Sequence, residues 1–226
     1  MSGDFVLGGE FRIAPVDTGP ASAEPTAFTR LHLQCLDTAY ERIIGEGFGR
    51  RLRAEADDVA AEDRAYLARP GTRAAIAWAN PGFGTSNEFG CCSIGADPDL
   101  WFRPVGLALS AEGPQPWEAQ VGAQPLRGAE GKPPRTLVTL YVLPEAQGRG
   151  LGGALLDAVL DPEEPAYLWI INGNDGAERF YARRGFRSLH EAFPGDGAWA
   201  PATTGRLVRG LEGPSGPISP AEAPGR

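Results

Sequence analysis

The residues best suited to chemistry lie in one run, Pro144-Glu145-Ala146-Gln147-Gly148-Arg149-Gly150-Leu151-Gly152. It joins a predicted strand to a predicted helix. A Gly-rich turn entering a helix presents backbone N–H groups without intrahelical partners, at the positive end of the helix dipole. Such a turn is an anion site suited to a phosphate or pyrophosphate. The glycines let a ligand approach the backbone closely, and Arg149 adds a cation. The spacing Gly148-x-Gly150-x-Gly152 is not the G-x-G-x-x-G of dinucleotide folds, and no G-K-[ST] follows. Taken alone, the loop has a plain alternative, a Gly-rich turn that holds no ligand.

Other reactive residue types are sparse. The chain has 3 Cys and 2 His. No C-x-x-C or His/Cys spacing suggests zinc, so no metal is expected. Cys91 and Cys92 are adjacent, with no basic neighbour to activate a thiol, and read as loop or packing residues. Three cysteines do not make a disulfide framework.

The elements that must position the loop are sharp. Residues 136–143 form a nearly continuous apolar and β-branched run, as in a sheet-centre strand. Residues 150–160 form a helix with Leu151, Ala154, Leu155, Ala158 and Val159 on one stripe. Residues 166–171 are a second buried-type strand. Asn174 caps a helix over 175–184, which Gly185 ends in the left-handed conformation. The spans 186–189 and 205–211 read as further strands. In the first half, 11–16 reads as a strand ended early or held at an edge by Pro15. Helices are expected over 27–44 and 48–69, and strands over 73–79 and 104–110. Two Pro/Gly-rich excursions, 80–103 and 112–135, separate these elements and read as functional lids or poorly ordered inserts. Trp101 and Trp117, in or beside them, either line a pocket or anchor the loops.

With 226 residues the chain is long enough for one domain with its own core. The net charge of −8 argues against a nucleic-acid binder. No apolar run approaches a membrane span, and no signal peptide is visible. A cytoplasmic protein with reduced thiols is expected. The expected organisation is an N-terminal extension over 1–10, a single domain over 11–211 and a disordered tail over 212–226.

The motifs resemble a known family. Gln147-x-x-Gly150-x-Gly152 after Val142-x-Pro144 is similar to the acyl-CoA pyrophosphate loop of the GNAT N-acetyltransferase superfamily. Asn174-x-x-Ala177-x-x-Phe180-Tyr181-x-x-x-Gly185-Phe186 matches that family's second motif in order and spacing. Arg206-Leu207-Val208-Arg209 resembles its last strand. The clear resemblance covers about residues 136–190.

The resemblance implies an α/β fold with a mixed sheet that splays between the strands at 136–143 and 166–171. Acetyl-CoA would lie in the split as co-substrate, its pantetheine beside the backbone of Tyr141, Val142 and Leu143. The pyrophosphate would sit on the amides of Gln147, Gly148, Arg149, Gly150, Leu151 and Gly152. Asn174 would reach the pantetheine while also capping its helix. Tyr181 would be the general acid for the departing thiolate, its alternative being a packing tyrosine. A backbone N–H near Val142 would stabilise the oxyanion.

The general base stays open. The strand at 136–143 carries no carboxylate, and Asp37, Glu41 or His32 on the first helix are the candidates. His32 reads more naturally as a satisfied helix residue. Glu145 falls at a variable loop position of the family, and the amine can also arrive deprotonated. The implied function is acetyl-CoA-dependent N-acetylation of a primary amine, on a small molecule, peptide or protein, with homodimers common in the family. The alternative is a non-catalytic CoA-binding sensor on the same fold. A toxin-like enzyme acting on charged tRNA is disfavoured by the acidic balance.

Overall fold

The computed structural model describes residues 5–7, 10–80, 103–128 and 133–211. Most of the 80–103 excursion, with Trp101, Cys91 and Cys92, lies outside the described residues, as does the predicted tail from 212. The strands are β1 (Phe5–Leu7), β2 (Phe11–Pro15), β3 (Arg73–Ala79), β4 (Arg103–Glu112), β5 (Arg135–Val142), β6 (Ala166–Ile171), β7 (Arg187–Ser188), β8 (Phe193–Pro194) and β9 (Thr203–Arg209). They form one mixed sheet in the order β1-β2-β3-β4-β5-β6-β9-β7, with β8 also on β9. Among the described strands, only β5 and β6 pair in parallel. The helices are α1 (Glu24–Ala39), α2 (Glu41–Ile44), α3 (Phe48–Ala54), α4 (Ala56–Ala68), α5 (Leu151–Val159) and α6 (Asp175–Ala182). None of the described helices is long and apolar enough to cross a membrane.

The two faces of the sheet are set by strand alternation. Tyr141 meets α1 through the ring of His32. The next residue, Val142, points to the other face, where its side chain and Leu155 of α5 crowd Gly106. A Cβ on Gly106 would lie 2.8 Å from Leu155 Cδ1, so glycine is what lets α5 approach β4 this closely. Of the stripe expected on α5, Leu151, Leu155 and Val159 are 1 % exposed or less while Ala154 and Ala158 are half-buried, and Leu156, not in that stripe, is fully buried. Phe28, Leu31 and Cys35 of α1 cover the opposite face beside Ile76 and Leu107.

The structure differs from the sequence reading in four places. The helix expected over 27–44 breaks at Tyr40, and that over 48–69 breaks at Glu55. Glu55 leaves the helix where its carboxylate accepts the Ala198 N–H at 2.9 Å. Phe5–Leu7, placed in an N-terminal extension, instead pairs with β2 and begins the sheet, so β2 is not an edge. β8 was not expected and exists by pairing with Thr203 and Thr204 of β9.

The described part of the 112–135 excursion is anchored through buried polar groups. Tyr167 Oη donates to Glu118 Oε1 at 2.6 Å, and the Gln115 N–H donates to the same oxygen at 2.8 Å. Tyr66 Oη and Trp117 Nε1 both donate to Gln115 Oε1. Arg206, 2 % exposed, donates to both carboxylate oxygens of Glu191 and to the Gln124 carbonyl. Its guanidinium also lies 5.4 Å from the centroid of the Trp169 ring. Removing one partner of a buried pair leaves an uncompensated charge and costs about 3–5 kcal/mol. Glu191→Ala should therefore lower the melting temperature by roughly 6–20 °C, given about 2–4 °C per kcal/mol for a chain of this size. Thermal unfolding followed by circular dichroism reads this directly, and an unchanged midpoint would mean the pair is not desolvated.

Candidate active site

β5 and β6 pair only at their beginnings: Arg135 with Ala166, Thr136 with Tyr167 and Leu137 with Leu168. Beyond Leu137 they part, although β5 runs on to Val142 and β6 to Ile171. Leu143 N–H donates to Val105 O at 2.8 Å, toward β4. Alternation then turns the Val142 peptide groups the other way, into the splay. Tyr141 O faces back toward Gly106 of β4. Of Tyr141, Val142 and Leu143, the three residues expected beside a ligand, Val142 is the one whose peptide groups face this edge. Leu143 is core, 3 % exposed. Tyr141 contributes its side chain instead.

The Gly-rich turn sits at the end of β5. Its first two glycines take left-handed conformations, Gly148 at φ +75° and Gly150 at φ +82°, and a Cβ at either would meet nothing within 4 Å. Gly150 is the N-cap of α5, and no side chain caps it. The first helical bond runs from Ala154 N to Gly150 O, so the amides of Leu151, Gly152 and Gly153 precede the intrahelical ladder. Those amides, a glycine backbone facing open space and the adjacent splay suit a phosphorylated ligand with a long thioester arm.

Side chains in the loop have distinct jobs. Gln147 Nε2 donates to Val142 O at 2.9 Å and ties the loop to the strand. Leu151 is buried in the core, leaving only its amide for a ligand. Gly152 packs beneath Phe180 of α6. Arg149 Nη1 bonds Glu10 Oε2 at 2.8 Å in a half-exposed pair, so the expected cation is already engaged with an acid before β2.

Asn174 is the N-cap of α6, its Oδ1 accepting from Ala177 N at 3.2 Å. Gly185, at φ +80°, ends the same helix as expected. Tyr181 is 8 % exposed and packs on Phe180 and Phe186. Burial pushes its phenol above the ordinary value, and the nearby Tyr40 phenol adds to the rise. Tyr40 Oη and Tyr141 Oη lie 3.0 Å apart. The Tyr141 phenol, raised well above its ordinary value chiefly by burial, also feels Tyr40 and Tyr181 electrostatically. Two phenols thus touch, and the third lies within their electrostatic reach.

The base candidates separate cleanly. Asp37 is ion-paired to Arg53 at 2.9 Å and exposed. Glu41 accepts the Gly47 and Gly49 N–H groups, which hold its carboxyl below the usual range, so it ties α2 to α3. Glu145 pairs with Arg103. His32 Nδ1 lies 3.0 and 3.2 Å from the two oxygens of Asp63 on α4, and its ring leans on Tyr141 with centroids 5.5 Å apart.

Sequence reasoning missed Asp63, Tyr40 and Trp199. Asp63 carried a usable signal, because it falls on the apolar stripe of α4 with Val59, Tyr66 and Leu67. Trp199 stacks against Tyr40 and Phe48 from the segment before β9, and nothing local announces that. Trp117, expected either to line a pocket or to anchor its loop, lies 4.6 Å from Trp169 between ring centroids and bonds Gln115.

Comparison with known proteins agrees with this geometry. The family profile described as an acetyltransferase (GNAT) domain matches residues 117–188. A search of curated proteins found no match by sequence. Among solved structures, the histone acetyltransferase HPA2 and related acetyltransferase from Corynebacterium glutamicum aligns at 18 % identity and TM-score 0.53, over 92 % of this chain and 99 % of its own. A GnaT-family acetyltransferase from Bordetella pertussis aligns at 14 % identity and TM-score 0.52, over 92 % and 99 %. At such identities the structural likeness establishes the fold, and within it residues 117–188 are similar to an acetyltransferase (GNAT) domain.

Proposed function

We propose that this chain transfers an acetyl group from acetyl-CoA directly to a primary amine bound on the α1/α4 face of the sheet. The observation that carries the reading is the uncapped, doubly left-handed glycine turn at the start of α5, set where β5 and β6 part. Acetyl-CoA would supply an activated thioester carbonyl. The amides of residues 148–153 would hold its diphosphate, and the splay would hold its arm. The Val142 N–H, directed into the splay, would donate to the carbonyl oxygen as negative charge develops there, and one such donor is worth about 10²–10³ in rate.

Tyr181 would donate a hydrogen bond to the sulfur as the C–S bond lengthens. A thiol titrates near 8.5 and a phenol near 10, and this phenol is pushed higher still. Full proton transfer to a free thiolate is therefore uphill, and the phenol acts on charge while it is developing. Tyr40, Tyr141 and Trp199 would wall the acceptor end with aromatic surface. Free, buried Cys35, whose thiol is pushed up to about 12 by burial with Glu145 adding to it, suits a reducing cytoplasm.

The test is thiol release from acetyl-CoA across a panel of amines: alkylamines, polyamines, aminoglycosides and lysine or N-terminal peptides. Amine-dependent release with an acetylated product of the right mass is the expected result. Tight acetyl-CoA binding with no release for any amine would instead favour a sensor on the same fold, to which the lack of a carboxylate on β5 lends some weight.

A further inference from the structure

We infer that His32, held by Asp63, is the proton acceptor for the incoming amine; this rests on the acetyl-transfer reading above. The pair joins two helices far apart in sequence and is buried, with side chains 12 % and 7 % exposed. A carboxylate only accepts, so His32 Nδ1 carries the proton donated to Asp63, and in the neutral imidazole Nε2 then has the lone pair. That is the arrangement a general base needs: one nitrogen oriented by a buried acid, the other available to take a proton. A buried His–Asp pair that only fastened α1 to α4 would have no reason to lie against the strand beside the splay. The imidazole instead leans on Tyr141, one residue before the Val142 amide.

The position is consistent with the chemistry. Tyr141 touches the His32 ring and hydrogen-bonds Tyr40, and it lies within electrostatic reach of Tyr181. Base and sulfur-side donor thus both interact with one side chain near the end of β5. The other acidic group facing the imidazole is Glu62, also on α4. Its carboxyl is raised, chiefly by burial and by Asp63, and His32 acts against that rise.

At pH 7 an alkylamine with a lysine-like value near 10.4 is almost wholly ammonium, with roughly one molecule in a few thousand neutral. An ammonium loses two protons on its way to an amide: His32 takes the first before attack, directly or through one water, and returns it to solvent, and the second leaves the nitrogen of the tetrahedral intermediate for solvent by the same route. The N–C bond forms on the nitrogen lone pair. The C–S bond breaks with its pair left on sulfur, which leaves as thiolate on the Tyr181 hydrogen bond. Charge and protons balance without a further reactant. Asp63 is a positioning residue, acting through His32.

The experiment compares two small acceptors at pH 7 by thiol release: ethylamine, mostly protonated, and hydroxylamine, already neutral. His32→Gln should slow ethylamine acetylation about 10²-fold or more, the usual scale of general-base catalysis, while slowing hydroxylamine less than about tenfold. Asp63→Asn should show the same split with a smaller loss. Acetyl-CoA affinity within about threefold of wild type serves as the folding control for both. If a variant fails that control, imidazole rescue of His32→Ala replaces it, with recovery of ethylamine acetylation expected. Equal losses for the two acceptors, no loss for either, or no imidazole rescue would overturn the proposal. A wild-type protein that consumes acetyl-CoA with neither acceptor nor any panel amine would overturn the transfer reading itself, and this inference with it.

Discussion

Tyr181→Phe should lower kcat about 10²-fold or more while leaving acetyl-CoA affinity nearly unchanged. The substitution removes one oxygen from a ring packed on Phe180 and Phe186, so the fold keeps its aromatic contacts. A general acid contributes roughly 10²–10⁴ in rate, and the incomplete transfer argued above places this one toward the low end. The pH dependence has a definite sign. The protonated phenol is the active form, and burial raises its pKa above the ordinary 10. Protonation is therefore retained through pH 10, and activity that depends on Tyr181 falls only above it. The same shift favours the folded state below pH 10 and loses that contribution as pH rises past the folded value. Stopped-flow or steady-state thiol release between pH 6 and 10 provides the check. A falling limb centred below pH 10 that vanishes in the Phe variant would contradict the assignment.

Gly150→Glu should abolish measurable acetyl-CoA binding, a loss of at least about 10²-fold, while Gly150→Ala loses less than about tenfold. Both variants place a side chain at φ +82°, where an L-residue is strained by about 1–2 kcal/mol. Both point into open space, so neither clashes. Only Glu adds a charge. Two like charges about 4 Å apart near a protein surface repel by about 4 kcal/mol at an effective dielectric of 20. A carboxylate at a helix N-terminus is otherwise mildly favourable, so the Glu variant should be no less stable than the Ala variant. Equal affinities for the two variants would show that no anionic group sits over this turn.

What could be read from the sequence follows what is decided locally. β6 was expected over 166–171 and spans Ala166–Ile171, because an unbroken apolar run needs nothing distant to specify it. The Asn174 cap and the left-handed Gly185 were legible because side-chain capping and a positive φ act within one helical turn. The glycine turn was legible from its own spacing, and the parting of β5 from β6 was what the family resemblance implied.

The missed features are tertiary. The break between α3 and α4 is fixed by Glu55 bonding Ala198, across 143 residues. The 112–135 excursion reads as a functional lid or poorly ordered insert, yet Gln115 and Glu118 are buried because Tyr66, Tyr167 and Arg206 come from three other elements to meet them. His32 read as an ordinary helix residue because Asp63, which gives it a defined tautomer, lies 31 positions away. Asp63 on an apolar stripe was the visible clue, since a carboxylate on a buried face needs a partner.

The most direct test of the account is a calorimetric titration of the purified protein with acetyl-CoA and with free CoA. The account predicts saturable binding of both at one site per chain, with micromolar affinity. Folded protein that binds neither would contradict it, leaving the glycine turn a structural bend and the fold without its co-substrate.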